Sequence, residues 1–287
     1  RRLNSVGESL LQIAPDPSIA LSLRSLTGGD PLVVRVRRSS DNLEQDFTAS
    51  EVSSGALVDF VGSGNDGFVE TWYDQGGSKN ATQTNTTNQP KIVESGSLIT
   101  ETRSGVTTAA IKFTSDSGTP ANSDFLQTSS TYVSTAVSAI TTCLVVPCQD
   151  DSSEEKGILG KNNSNNRVSI DHNSSNGYRF NMPARREYAN NGQIIGDVDL
   201  YFNVVAGTTA NTDDECFRNN TQLTGNTNTV PSVGADMNQI GSRRGGTSSA
   251  KGTDGNYQEI VIYSSDLRSQ GADIRNEIIN HYSLPQD

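Results

Sequence analysis

The 287-residue chain holds only three cysteines, two histidines, two methionines and one tryptophan. Cys143, Cys148 and Cys216 are odd in number and irregular in spacing, which excludes a disulfide framework. Cys143 and Cys148 lie on one expected strand with opposite parity, so they face opposite sides and cannot bridge. They are expected to be buried free thiols of a chain assembled in a reducing cytoplasm. No CxxC or matching histidine spacing offers a cysteine metal site. Long apolar runs are missing too, and without about 18 consecutive apolar residues no helix is expected to span a membrane. Positive charge is scarce: 22 Lys and Arg stand against 33 Asp and Glu, for a net charge of −11. Nucleic acid and anionic membranes need a concentrated basic face, and Arg35, Arg37 and Arg38 with Arg243 and Arg244 are too few to form one, so no nucleic-acid partner is expected. The chain opens on Arg1 and Arg2 rather than methionine, as a processed or trimmed piece would, so the missing signal peptide decides nothing.

Hydrophobic residues make up 32%, and Gly, Ser, Thr and Asn are abundant. That composition suits many short strands joined by polar loops and argues against a helical bundle. Leu32–Arg38 alternates, with Leu32, Val34 and Val36 set against Val33, Arg35 and Arg37. Gly67–Tyr73 alternates likewise, with Phe68, Glu70 and Trp72 against Val69, Thr71 and Tyr73, and it stops at Asp74-Gln-Gly-Gly. After Ile99 strands are expected over 109–114, 125–128, 136–147, 157–161, 167–171, 177–182, 200–206, 216–219, 221–223, 238–242 and 257–263. The runs 140–146 and 200–206 read as continuous apolar runs, fit for strands covered on both faces. A short helix is expected over 56–61, with Ser53 or Ser54 as N-cap and Gly62 beyond its end. A longer one is expected over 266–282, with Ile274, Ile278, Ile279 and Tyr282 on one face. Residues 1–17, with apolar Leu10–Ile13, read as an N-terminal arm able to contact a neighbour. Residues 18–287 read as one domain.

The segments VRVRRSSDN, TWYDQGG and QPKIV resemble the N-terminal half of the arabinofuranosidase B catalytic domain of the GH54 glycosidases. The likeness is specific over residues 18–95, and strand pattern carries the rest. It implies an all-β, concanavalin-A-like (jelly-roll) antiparallel sandwich with a few short helices and a C-terminal helix. The ending, a strand followed by SSDL and a helix, is similar to laminin-G-like and related lectin sandwiches.

Retaining glycosidases need two carboxyl groups about 5 Å apart. The resemblance matches Asp171 to an aspartate of the family's nucleophile strand but puts Asn173 where the nucleophilic Glu belongs. It puts Arg243 where the family has its acid/base Asp, and a guanidinium cannot donate that proton. The family's adjacent pocket cysteines are absent. Asp236, Asp254 or Glu259 remain as displaced carboxylates. Asp171, His172, Asn173 and Arg243, with Trp72 and Tyr73 as a stacking platform, are the candidate glycan contacts. The alternative is a solvated strand end and a core tryptophan. Asp41, Asp46 and Asp74 offer oxygen ligands for calcium, or else Asx-turns and partners for the neighbouring arginines. Sequons at Asn80, Asn85, Asn162, Asn173 and Asn219 are expected by chance in such a composition, and His281 needs no role beyond its surface.

The expectation is therefore a non-catalytic, lectin-like module without obligate cofactor, calcium aside. Its expected place is a phage virion surface, as decoration, tail-fibre or receptor-binding part, oligomeric and in contact with other virion subunits or host-surface glycan. The alternative is a glycoside hydrolase of the arabinofuranosidase B type acting on cell-surface polysaccharide, at an extracellular or bacterial-surface location.

Overall fold

The strand Ala139–Pro147 is buried at every position, because it separates two apolar layers. Ile140, Leu144 and Val146 point into a core shared with Trp72, Val93, Ile111 and Leu126. Cys143 and Val145 point the other way, against Leu10, Phe202, Ile274 and Ile278. Alternation cannot show in a sequence whose two faces are both covered.

The structure, a computed structural model, describes residues 7–132, 139–150, 156–161, 167–172, 178–182, 184–188, 194, 196–206, 214–227, 237–243, 245–247 and 251–286. Two main sheets result. The first has six strands in the order Ile19–Ser22, Glu259–Tyr263, Ala139–Pro147, Val198–Ala206, Glu215–Arg218 and Thr221–Gln222. The second, 16-stranded among the described residues, runs from Gly225–Thr227 through Arg167–His172, Gln239–Ile240, Leu126–Thr128, Gly67–Trp72 and Ile111–Phe113 to Gly255–Tyr257. Its pairings are antiparallel except Gln149–Asp150 on Arg167–His172. The larger core lies between the sheets. The expected all-β sandwich, with few short helices and a C-terminal helix, is what is found.

Four α-helices accompany the sheets among the described residues: α1 (Leu10–Ile13), α2 (Ala49–Ser54), α3 (Ala56–Val61) and α4 (Gly271–Tyr282). Helix α4 buries Ile274, Ile278, Ile279 and Tyr282 on the outside of the six-stranded sheet. Each such apolar side chain contributes about 2 kcal/mol. Leu10 and Ala14 are fully buried in the same layer, and the Ala14 carbonyl accepts from Tyr263 Oη at 2.9 Å. The apolar face of the expected arm is thus occupied by its own chain, which corrects its reading as a contact for a neighbour.

Other differences have local causes. Glu70 is an extra residue opposite the Arg35–Val36 step. This β-bulge moves Val69 and Trp72 onto the same buried side, overriding the strict period of two. A second irregularity at Leu32–Val34 leaves Leu32 45% exposed while Val33 is buried. Ser53 and Ser54 belong to α2, which Thr48 and Glu51 cap reciprocally. Gly55, in the left-handed region at φ 96°, separates α2 from α3. Asp266 binds Arg268 rather than capping α4, whose α-turns begin only at Gly271. Gln258 interrupts the expected strand 257–263, and Ala184–Tyr188 is a strand that sequence reading missed. All three cysteines are buried free thiols, and burial pushes the Cys143 and Cys216 thiols up.

Candidate functional site

Residues paired across antiparallel strands share a face. On the large sheet Trp72 pairs with Ala81, and Leu126 with Ile240 and onward to Leu159, all fully buried. The neighbouring row runs Asp46, Arg35, Thr71, Thr82, Gln127, Gln239 and Gly160 through successive pairings. This row lies on the sheet's outer face and carries no apolar side chain. Gln239 Nε2 donates to Gln127 Oε1 at 3.2 Å, and the Gly245 amide donates to Gln239 Oε1 at 3.0 Å. At the other end Arg35 binds Glu44 and Asp46 at 3.0 and 3.2 Å.

The residues of the three sequence motifs brace this sheet. Arg37 is 8% exposed, donates to Gln89 Oε1 and Asn42 Oδ1 at 2.8 and 2.7 Å, and lies over the Phe68 ring. Asp74 accepts from the amides of Ala20, Gly76 and Lys79 at 2.8, 3.0 and 3.0 Å. Gln75 clamps the first strand of the small sheet by accepting from the Leu26 amide and donating to the Ser22 and Arg24 carbonyls. Asn88 donates to the Ala121 and Ser123 carbonyls at 2.7 and 2.9 Å, and its own carbonyl accepts from the Phe125 amide. Asn88 thereby fixes the loop ahead of Leu126–Thr128.

That loop carries Asp124. The Thr114 amide donates to Asp124 Oδ2 at 2.8 Å, and the next amide, Ser115, donates to Asp254 Oδ1 at 2.8 Å. Consecutive backbone nitrogens stand about 3.6 Å apart, so these two carboxylate oxygens are at most about 9 Å apart. The segment holding Asp254 reaches Ser115 because Gly252 has no Cβ: one placed there would sit 2.8 Å from the Ser123 Cβ. Burial pushes the Asp124 carboxyl up to about 7. Burial also acts to raise Asp254, but the Lys156 ammonium at 2.7 Å and the Ser115 hydroxyl and amide outweigh it. They hold that carboxyl below its usual range. Two carboxyl groups driven in opposite directions can serve as a proton donor and a charged base at one pH.

Of the three displaced carboxylates, Asp254 alone is brought to this rim. Glu259 is fully buried and bound by Arg24 at 2.7 Å, and Asp236 lies outside the described residues. Sequence reading missed Asp124, since its burial is made by chain segments 10 and 130 residues away.

The other candidates separate. Trp72 is fully buried, which removes it as a stacking platform. Tyr73 is half-buried and donates to Asp46 Oδ1 at 2.7 Å; burial, then Asp46, pushes its hydroxyl up to about 12. Asp41 pairs with Arg38, whose side chain holds its carboxyl down to about 2. The lone pairs of Asp74 serve three amides, and Asp46 accepts from Arg35 and Tyr73, so protein partners engage all three calcium candidates. Among the described residues no group of three or more His, Cys, Asp or Glu could hold a metal ion. Asp171 and His172 end the strand Arg167–His172, and Arg243 lies on Ser242–Arg243, two residues past Gln239–Ile240. The strand Leu159–Gly160 pairs with both Arg167–His172 and Gln239–Ile240. Asn173 lies outside the described residues.

No family model and no curated protein matches the sequence. Solved structures do. An arabinofuranosidase complexed with arabinofuranosyl-α-1,2-xylobiose is similar at TM-score 0.64 and 13% identity, over 96% of this chain and 65% of that one. A GH54 α-L-arabinofuranosidase soaked with a cyclic sulfate inhibitor is similar at TM-score 0.63 and 13% identity, over 95% and 64%. A Glu-to-Gln mutant soaked with 4-nitrophenyl α-L-arabinofuranoside is similar at TM-score 0.61 and 14% identity, over 95% and 64%. The chain thus spans just under two thirds of the length of these neighbours. The expected resemblance to GH54 is shown at the level of fold. The expectation of a non-enzyme is corrected: the solved structures that share this fold are glycosidases. That expectation rested on two positions alone, Asn173 and Arg243. The chain is a β-sandwich with the fold of the GH54 arabinofuranosidases.

Proposed function

We propose that this chain is a glycoside hydrolase acting on a cell-surface polysaccharide, with arabinofuranosides as the first substrate class to test. The observation that carries the reading is the pair of carboxyl groups, Asp124 and Asp254, held on the successive amides of Thr114 and Ser115. The fold of its glycosidase neighbours supports it. In this mechanism Asp124, protonated near neutral pH, gives its proton to the leaving glycosidic oxygen as the C–O bond breaks. Asp254 stays ionised and either takes a proton from the attacking water or attacks the anomeric carbon itself. The separation of at most about 9 Å admits both courses. The polar outer row passes through Gln127, three residues past Asp124, and offers amides and hydroxyls to the sugar chain.

The test is turnover of a panel of aryl arabinofuranosides and bacterial surface polysaccharides. The account expects hydrolysis by the native chain and its loss in Asp124→Asn and Asp254→Asn. Hydrolysis that survives both substitutions removes these residues from the chemistry.

A further inference from the structure

A cavity of about 730 Å³, lined by none of the residues of the Asp124–Asp254 rim, opens between α2, the hairpin Thr100–Arg103/Val106–Ala109, the segment after Ile19–Ser22, and the end of α4. Its volume lies in the range that holds a drug-sized or disaccharide-sized ligand. Its apolar lining comes from side chains such as Leu23, Val52 and Leu98, and its polar lining from Arg24, Asp30, His281 and several hydroxyl residues. Two of these have bonding capacity to spare. The Ser25 hydroxyl lies just beneath the wall, buried without a partner among the described residues. Thr108 Oγ1 accepts from Gln258 Nε2 at 2.7 Å, which leaves its own proton to donate.

Charge in the wall is already balanced or negative. Arg24 is saturated by Glu259 and Glu277 through four hydrogen bonds. Asp30 at the wall accepts from the Ser50 amide and hydroxyl at 2.9 and 2.6 Å. The other basic lining group among the described residues is His281, whose imidazole burial pushes down to about 4, so near neutral pH no free cation receives a carboxylate or phosphate, and an anion entering here would lose its water without compensation. The frame is stiff on each side: Gln75 fixes the Ser22–Leu26 segment, and Thr48 caps α2. An apolar wall with unassigned hydroxyls and no free cation matches a pyranose or furanose ring, which is apolar on its faces and hydroxylated at its edge.

We infer that this cavity is a second, non-catalytic binding site for a neutral mono- or disaccharide, one that rejects acidic sugars. The inference does not depend on the hydrolase reading, and its test is arranged so that the two fail separately.

Saturation-transfer NMR and calorimetry on the full chain would use L-arabinose, xylobiose and maltose as neutral probes. Glucuronic acid and glucose 6-phosphate are the acidic probes, and a neutral alkyl detergent is the apolar one. At least one neutral sugar should bind at millimolar or tighter strength, with each acidic probe at least tenfold weaker. Ala109→Phe should fill the cavity and abolish this binding. Ser25→Ala, the milder change, should weaken it several-fold with the fold intact by circular dichroism. Asp124→Asn should leave it unchanged whether or not hydrolysis is lost. Equal binding of acidic sugars, preference for the detergent, no binding by any neutral sugar, or insensitivity to Ser25→Ala would each overturn the inference.

Discussion

Residues 18–95 and the rim formed by 113–125 with 252–254 use the same side-chain types for opposite ends. In the first region every motif carboxylate and amide is consumed by structure. Asp74 serves three amides, Gln75 clamps a strand, and Gln89 holds Arg37. At the rim, Asp124 is only partly buried yet its carboxyl is pushed up, while Asp254 is exposed beside Lys156. Motif strength in a sequence therefore reports how tightly a fold is braced, whereas chemistry gathers where groups are poorly compensated. The motifs still bear on the site through Asn88, which anchors the loop ahead of Asp124.

Substitutions should separate the two regions cleanly. At the rim, Asp124→Asn or Asp254→Asn should lower kcat by about 10²–10⁴-fold on a chain that still folds, read from substrate kinetics and a cooperative urea transition. In the braced region Asp74→Ala should leave the buried Ala20 amide and the more accessible Gly76 and Lys79 amides without their carboxylate and cost about 3 kcal/mol, seen as a fall in the urea midpoint at constant m. A loss of kcat on folded protein from Asp74→Ala would blur the distinction. Asn88→Ala stands between: it should cost about 1 kcal/mol and lower kcat several-fold by loosening the Asp124 loop. At the bottom of the scale, Asp41→Ala should leave the midpoint unresolved from that of the native chain, because its pair with Arg38 is solvent-exposed. Excess EDTA should likewise leave the melting temperature unchanged, since Asp41 and Asp74 are engaged by the protein itself.

The pH dependence of stability sharpens the same contrast. Asp124 has its folded-state pKa raised from 3.8 to about 7. Between those values the folded chain holds a proton that the unfolded chain has released, so this group's contribution to stability falls as pH rises from about 4 to 7 and levels off above. The swing should reach a few kcal/mol at most, on the order of 1.36 kcal/mol per unit before solvent screening. Urea titrations across that range should show the slope in the native chain and a flatter one in Asp124→Asn.

The sandwich was legible because strand pattern and composition act locally. The doubly covered runs 140–146 and 200–206 and the amphipathic α4 announce their surroundings in their own residues. Faces were misread where the Glu70 bulge inserted one residue, since a period of two has no memory across a slip. The site was less legible. Asp254 could be named only as one displaced carboxylate among three, and Asp124 not at all, because burial raises its pKa and burial is contributed by distant segments. Trp72 shows the converse: the rarest residue of the chain drew attention as a ligand shelf and is a fully buried part of the core.

The central claim is that Asp124 acts as the acid of a glycosidase, and the pH profile of kcat/KM on the best substrate found tests it most directly. The account predicts a profile that falls above about pH 7, as Asp124 loses its proton, and that loses this alkaline limb in Asp124→Asn along with most of its height. A native rate that stays flat through pH 7, or an Asp124→Asn profile with full height and the same alkaline limb, would contradict it.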